Sequence, residues 1–480
     1  MKDKQAKIAI IGGGVAGASA ALYFGKLGLD ITLFEKEPSL VTGPPFCHLH
    51  AGGNLYREIS DAQCITLLKQ SIDFLRFYPY IVDYRPTVIV LPTTDKSTPE
   101  ALIPRLELLT KEYELLIKND PKNEVLGKSE HYYKVFEKEE IEILKEKTIV
   151  SEPKTCEEWM IPVAQNIDLN KVQFPLIMVQ EYGLNLFRLA AGTALSLESM
   201  PHVQLHLQSI VHNVQQDCDR QGWILSYVKD DKSHQEHFDY LINAAGFRTG
   251  KIDDFIGAPC EAMVEFKAAY VSKWDDHNEI KFPEIIFHGE RGTPQGMGQF
   301  TPYPHGYFQL HGMTKEITLY EDGLVSNTAV SCQPRLGQDF IDKIEKEWKE
   351  EETRKRTTSA IEHLSQYIPS FSTATVGSKP LFGAQQIPGD DPTLRVAEVS
   401  FPRERYARCE IVKVSSVLDM IDAIANVFAD LHIIKRSPLG QKNVAHTLHF
   451  DDTILTQKAV SIAKERQYPA ELANRTMPKG

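Results

Sequence analysis

Three groups of residues in this 480-residue chain have the types and spacing for chemistry. The first is Gly12, Gly14 and Gly17, a G-x-G-x-x-G run, with Glu35 eighteen residues after the last glycine. Gly12 permits a tight turn, Gly14 lets backbone approach a pyrophosphate, and Gly17 lets a helix pack close to a strand. The free N–H groups of the helix that opens at Val15 and Ala16 then receive the phosphates. Glu35, followed by Lys36, stands where a carboxylate accepts hydrogen bonds from the ribose hydroxyls of an adenosine. This spacing predicts a dinucleotide site, and by itself it serves NAD or FAD equally.

The second group is the segment Phe46–Glu58, with His48, His50, Ala51, the pair Gly52 and Gly53, Tyr56 and Arg57. Paired glycines allow close backbone approach to a ligand, and an imidazole with an ordinary pKa near 6.5 suits proton transfer. A site loop beside a cofactor is the preferred reading, with a polar surface loop as the plain alternative. The third group lies far along the chain. Gln299–Gly312 is dense in aromatics and histidines, with Tyr303, Tyr307 and His311 as candidates for substrate contact. An aromatic β-sheet core explains the same pattern, and both readings stay open. Lys413 precedes Val414-Ser415-Ser416, a helix start, and is either functional or an ordinary solvated or paired lysine.

These residues need positioning. Ile8, Ile10 and Ile11 read as a buried strand, Ala16 to Leu27 as a small-residue helix, and Ile31 to Phe34 as a second strand, together a βαβ unit. Helices are expected over 61–77, 98–118, 137–147, 185–198, 337–366 and 454–466, and from Ser415-Ser416 onward, with the serines as caps. Strands are expected at 88–91, 238–247, 396–401 and 408–414, and 177–181 is a short apolar stretch. Residues 203–206, 209–214 and 223–228 read as a meander. Residues 262–331 read as mainly β, with strands at 266–271, 284–288, 306–312 and 316–320.

Composition narrows the class of function. A net charge of −12 argues against an unassisted nucleic-acid binder. Seven scattered cysteines with no C-x-x-C pair suit a reducing compartment and give no zinc site, so no metal is expected. The N-terminus has no secretory pattern, and no run of about 20 apolar residues exists to span a bilayer. The expected location is cytoplasmic, with peripheral contact at the inner membrane left open.

With Leu241-Ile-Asn-Ala-Ala-Gly246 added to the glycine run, the chain resembles the FAD-dependent oxidoreductases of the D-amino acid oxidase superfamily up to about residue 432. That group includes glycine and sarcosine oxidases, glycerol-3-phosphate dehydrogenase and malate:quinone oxidoreductase. The resemblance implies an α/β fold (α+β overall): a Rossmann-like FAD-binding domain of 1–80, 175–255 and 375–435, and an antiparallel β-sheet substrate domain of 81–174 and 256–374. Residues 436–480 extend past it. The resemblance also makes FAD the cofactor. Val211 then meets the adenine through its backbone, Ala245 and Gly246 lie against FAD, and Val414 and Ser415 point a helix start at the flavin.

His50-Ala51-Gly52 is similar to the family's flavin-proximal segment. His50 is there either a covalent flavin carrier or, preferably, a residue that lines the isoalloxazine and takes the substrate proton. Lys413 matches the lysine near substrate and flavin, although Glu410-Ile-Val stands where the family often has Gly-His-Gly. Lys379 stands where an arginine is commoner, and Arg57, Arg405 and Arg408 are the arginines near these motifs. Catalytic candidates are His50, Lys413 and His311; substrate candidates are Arg57, Tyr303, Tyr307, Lys379 and Arg408. The implied reaction moves a hydride from the CH–NH or CH–OH carbon of a small amino or hydroxy acid onto flavin N5, with oxygen or quinone as electron acceptor. The rival readings are a quinone-linked 2-hydroxy-acid dehydrogenase at a membrane surface, in place of an oxygen-using amine oxidase, and a flavin-binding protein without turnover.

Overall fold

The computed structural model describes residues 6–49, 59–392, 394, 397, 399–435 and 450–478. A parallel sheet carries the first glycine run. Its order is Val399–Ser400, Tyr406–Cys409, Tyr240–Asn243, Lys7–Ile11, Asp30–Phe34, Val203–His206. All neighbours are parallel except the edge pair of Val399–Ser400 with Tyr406–Cys409. Lys7–Ile11 sits centrally, and the chain leaves it toward both sides of the sheet. Ligands of open α/β sheets bind where the strand order reverses in this way, at the carboxyl ends of the strands.

The strand Lys7–Ile11 is buried apart from its first residue, as its continuous isoleucine run requires. The helix Val15–Lys26 buries ten small or apolar residues from Ala16 to Gly25. It packs against Leu186–Glu198 and Val417–Asp430, with the Phe24 and Phe428 rings 4.7 Å apart. Alanines and glycines at that contact bring the helices close, and each buried aromatic adds about 1.5–3 kcal/mol.

The second large sheet runs Leu324–Ser326, Ala262–Lys273, Tyr307–Gly312, Gly298–Pro302, Glu284–Phe287, Thr87–Val90, Leu176–Val179, Tyr133–Phe136, with Thr375–Pro388 also paired to Ala262–Lys273. It is antiparallel except where Glu284–Phe287 runs parallel to Thr87–Val90. Alternation along its strands sorts the two faces. Phe266, Ala268, Tyr270, Ile285, Phe300, Phe308 and Leu310 form one core with Phe340, Ile361 and Leu364 of the helices Gln338–Glu345 and Glu350–Ser365. Glu284, Gln299, Thr301, Gln309 and His311 occupy the positions between, on the opposite face.

Several expectations change. Val203–His206 is not part of the meander: it pairs in parallel with Asp30–Phe34, and the meander consists of Ile210–Asp217, Gly222–Lys229 and Lys232–Phe238. Glu316–Tyr320 is a turn region rather than a strand, closed by the Leu319 amide on the Thr314 carbonyl. The strand expected at 408–414 is Tyr406–Cys409. Ser416 does not cap Val417–Asp430, because its hydroxyl donates to the Ala397 and Lys413 carbonyls. The helix Cys156–Asn166, opened by a Thr155/Glu158 capping box, was not foreseen. Leu176–Val179 and Thr375–Pro388, inside segments assigned above to the cofactor unit, are hydrogen-bonded into the large sheet.

Candidate cofactor and active site

The glycine turn has the geometry its residues suggest. Gly12 has φ +100°, which favours glycine, and a methyl group there would overlap the Ala244 carbonyl. At Gly17 a methyl would overlap the Gly12 carbonyl oxygen. Gly14 is different. Among the described residues, a methyl built on it meets nothing within 4 Å, and the same holds for Gly246. Open space therefore lies over Gly14, at the start of the helix, and over Gly246, beyond the end of Tyr240–Asn243. The strand Lys7–Ile11 pairs with Tyr240–Asn243, so both glycines follow adjacent strand ends.

The helix that starts at Val15 has no side-chain cap and no acidic residue in its first turn. Its first N–H groups and the positive end of its dipole are offered to an anion. Glu35, at the end of the next strand, is buried and accepts from the Gly13 amide (2.6 Å) and the Glu37 amide (2.8 Å). Burial raises its pKa, and these two amides pull it back in part. One lone pair on each oxygen remains for ribose hydroxyls. Val211, buried in the first meander strand, follows Ser209, whose amide donates to the Glu35 carbonyl (2.8 Å). Uncapped helix start, open glycine and buried carboxylate suit the diphosphate and ribose of FAD. Lys36 pairs with Glu37 (3.0 Å) and Glu345 (3.6 Å).

A second group of polar side chains lies between the loop after this unit and the polar face of the large sheet. His48 Nδ1 is 2.6 Å from Glu284 Oε1. The other Glu284 oxygen accepts from Arg85 Nη1 (2.5 Å), whose Nη2 donates to the Cys47 carbonyl (3.0 Å). Gln299 Nε2 lies 2.7 Å from Glu284 Oε1 and 2.9 Å from Cys47 Sγ. All five side chains are buried. Burial opposes charge on His48, but Glu284 and Cys47 outweigh it and push the imidazole up to about 10. Burial would raise Glu284, yet His48 and Arg85 hold it at about 2. His48 is therefore a fixed imidazolium at pH 7, a charge and a donor rather than a base. Cys47, His48 and Glu284 could also be read as metal ligands, their atoms lying within 4.8 Å of one another. Gln299 and Arg85 already donate to the sulfur and the carboxylate, which fits a hydrogen-bonded network better than an open ligand set.

The sequence had singled out the loop but not Cys47, Arg85, Glu284 or Gln299. One signal was available: a glutamate inside Pro283-Glu-Ile-Ile-Phe287, where a buried strand would otherwise be apolar. Of the sequence candidates, His50, Ala51, Gly52 and Arg57 lie outside the described residues. Tyr303 is buried and donates to Gln309 (3.2 Å) beside this network. His311 stands opposite Gln299 in the sheet, and its Nδ1 is 3.3 Å from the Ala268 carbonyl. Burial and Lys267 push it down to about 4, so it is neutral at pH 7 and a weak base. Tyr307 is half-buried under Lys273. Lys413 precedes the turn Val414–Ser416, and Ser415 is buried. The Ala245 amide donates to Asn243 Oδ1 (3.3 Å). Lys379 lies over the Tyr468 ring (4.9 Å).

Arg408 is committed to protein groups: Ser400, Glu410, Asp253 and the Pro259 carbonyl. Asp253 also accepts from Tyr406 (2.6 Å), and burial pushes its carboxyl up to about 6 against the pull of Tyr406 and Arg408. A folded pKa above the unfolded one means that this group favours folding at low pH and loses that contribution as pH rises through about 6. Relative to Asp253→Asn, wild type should therefore gain roughly 2 kcal/mol between pH 7 and pH 4. Urea unfolding at the two pH values measures it, and parallel behaviour of the two proteins would refute it.

Residues 7–139 match the model of the family described as FAD dependent oxidoreductase. FAD is that family's cofactor, and its members are enzymes. A shorter stretch, 118 residues, is 32% identical to methylenetetrahydrofolate--tRNA-(uracil-5-)-methyltransferase TrmFO of Lawsonia intracellularis (strain PHE/MN1-00), covering 24% of this chain and 25% of that protein. The aligned part is thus about a quarter of that relative's length. Among solved structures, glycine oxidase from Geobacillus kaustophilus aligns over 93% of this chain and 100% of that one, with a TM-score of 0.54 and 11% identity. Glycerol-3-phosphate dehydrogenase from Bacillus halodurans, solved with FAD, aligns over 98% and 74%, with a TM-score of 0.54 and 12% identity. The L-α-glycerophosphate oxidase of Mycoplasma pneumoniae, also with FAD bound, gives 93% and 100%, 0.53 and 14%. These likenesses establish the fold. No helix among the described residues is long and apolar enough to cross a membrane.

Proposed function

We propose that this chain, an FAD-dependent oxidoreductase by the match over residues 7–139 and by fold, oxidises a small amino or hydroxy acid at its CH–NH or CH–OH carbon. The observation that carries the reading is the pairing of an uncapped helix start and buried Glu35 with a polar sheet face that includes Glu284, Gln299 and His311. FAD, when bound, supplies the two-electron acceptor.

The chain's own residues do the rest. The amides of Val15 to Gly17 hold the diphosphate, and Glu35 holds the ribose. His48, kept protonated by Glu284, contributes a constant positive charge beside the polar face, which favours an anionic substrate such as a carboxylate. The same charge state excludes His48 as the group that takes the substrate proton at pH 7. Lys413, Tyr303, Tyr307 and Lys379 remain substrate-side candidates, and His50 remains the candidate base.

Anaerobic mixing of the flavin-loaded protein with a panel of amino and hydroxy acids tests the proposal. One class of acid should bleach the flavin absorbance near 450 nm, and a panel that leaves it unbleached defeats the reading. Reoxidation of the bleached protein by air or by a soluble quinone then distinguishes an oxidase from a quinone-linked dehydrogenase.

A further inference from the structure

We infer that the C-terminal segment 451–477 completes the FAD site, with Arg466 as a positioning residue for the loop that closes over the glycine turn. The inference rests on FAD being the ligand of that turn.

The segment begins with the helix Asp452–Glu465, capped by Asp451 through the Thr453 amide (2.8 Å). It is tied down along its length. Arg188 meets Asp452, and Asn185 Nδ2 donates to the Leu472 (3.0 Å) and Asn474 (3.1 Å) carbonyls. Tyr468 donates to the Pro380 carbonyl (2.7 Å), and Asp83 accepts from the Thr476 (2.9 Å) and Met477 (2.7 Å) amides. Asp83 is also 3.4 Å from Arg85, so the tail reaches the His48–Glu284 network too.

Arg466 stands at the end of that helix. Its Nε and Nη2 donate to Ser39 Oγ (3.0 and 2.9 Å), its Nη1 to the Val41 carbonyl (3.0 Å), and its Nη2 also to the Leu40 carbonyl. Among the described residues it has no carboxylate within 4.0 Å, so the loop carbonyls are what it holds. Val41 explains why the loop needs holding. It has φ +58°, a left-handed conformation that a β-branched residue adopts only when its surroundings impose it. In that conformation the Val41 amide donates to the Gly13 carbonyl (2.9 Å), and Leu40 packs over Gly13. Gly13 in turn donates to Glu35 (2.6 Å). A continuous chain of contacts thus runs from Arg466 through a strained turn to the residues that grip diphosphate and ribose. Without the guanidinium, Val41 can relax to an ordinary conformation, and Gly13 and Glu35 lose the packing that fixes them before FAD arrives.

The test is FAD titration of apoprotein, followed by quenching of flavin fluorescence, for wild type, Arg466→Gln, Arg466→Lys and the double variant Arg466→Gln with Val41→Gly. Arg466→Gln should weaken FAD binding at least tenfold and shrink the rise in melting temperature that FAD causes. Arg466→Lys should fall between, because one ammonium cannot satisfy three spread acceptors. Glycine at 41 adopts the left-handed turn without help, so the double variant should recover several-fold in affinity. FAD affinity of Arg466→Gln within twofold of wild type, or a double variant no better than the single one, overturns the inference. Wild-type apoprotein that takes up no FAD overturns instead the cofactor assignment beneath it.

Discussion

Glu284→Gln should lower folding stability by about 3–5 kcal/mol, the usual cost of leaving a buried charge without its partner. Glu284 is fully buried and serves two buried cations, Arg85 and His48, with one oxygen each. A neutral amide keeps the shape and removes the charge. Asp83, 3.4 Å from Arg85, is then the nearest remaining anion of the network, and burial already raises its pKa. His48 loses the carboxylate that raises it most, so burial should bring its pKa down from about 10.

The pH dependence carries the stricter form of this prediction. His48 has a folded pKa near 10, so its contribution is complete below its ordinary 6.5 and is lost as pH climbs toward 10. Glu284 has a folded pKa near 2, so its contribution is complete above 4.5 and is lost as pH falls toward 2. In wild type the pair therefore gives a plateau between about pH 4.5 and 6.5. In Glu284→Gln the His48 pKa should fall below 6.5, and acidification through pH 6 should destabilise the protein further. Chemical denaturation at pH 5, 7 and 9 measures both effects. A variant within 1 kcal/mol of wild type at all three values would show that the network is not what it looks to be. Combining Glu284→Gln with His48→Gln should restore part of the loss, because the two residues are in contact and their effects do not add.

The first βαβ unit was legible in the sequence because everything that specifies it is local. Isoleucine run, glycine spacing, small-residue helix and terminal acid all fall within Lys7–Glu35, and each has one structural meaning. The His48–Glu284–Arg85 network was not legible for the opposite reason. Arg85 and Glu284 are 199 residues apart, and Cys47 and Gln299 are 252 apart. The parallel pairing of Glu284–Phe287 with Thr87–Val90 brings Arg85 beside Glu284, and the pairing of Glu284–Phe287 with Gly298–Pro302 sets Gln299 beside them. Val203–His206 illustrates the same limit at the level of strands. Its alternation identifies a strand but not a partner, and burial against Asp30–Phe34 won over the adjacent hairpin. The start of Cys156–Asn166 is legible in the sequence, since Thr155 and Glu158 form a capping box, although Pro162 within the helix weakens the pattern. Residues 436–480 carried no motif, and the value of Arg466 lies in where Val41 is held, which only three-dimensional contact reveals.

The other large effect falls on retention of the cofactor. Gly17→Val should purify with less than about a tenth of the wild-type flavin, because the added side chain has nowhere to go. A Cβ at position 17 would overlap the Gly12 carbonyl oxygen and come within 3.1 Å of the Ala244 side chain. Neither neighbour can yield cheaply. Gly12 is fixed by its amide on the Phe34 carbonyl (2.8 Å), and the Ala244 amide is held by the Ile11 carbonyl (2.8 Å). The helix must then move away from the strand, carrying its first N–H groups out of reach of a diphosphate. Glu35→Gln should act more gently and more specifically, weakening FAD about 10- to 100-fold, because an amide nitrogen would face either the Gly13 or the Glu37 N–H. The ratio of absorbance at 280 and 450 nm in the purified proteins measures flavin content, and circular dichroism checks that both variants are folded. A stoichiometrically yellow Gly17→Val would refute the placement of the diphosphate. Glu35 also predicts a pH signature. Burial holds its carboxyl above the ordinary range, and the charged form is the better acceptor for ribose hydroxyls. Lowering the pH from 7 to 5 should therefore loosen FAD in wild type while leaving its affinity for Glu35→Gln nearly flat, which ties the loss to this carboxylate rather than to general unfolding.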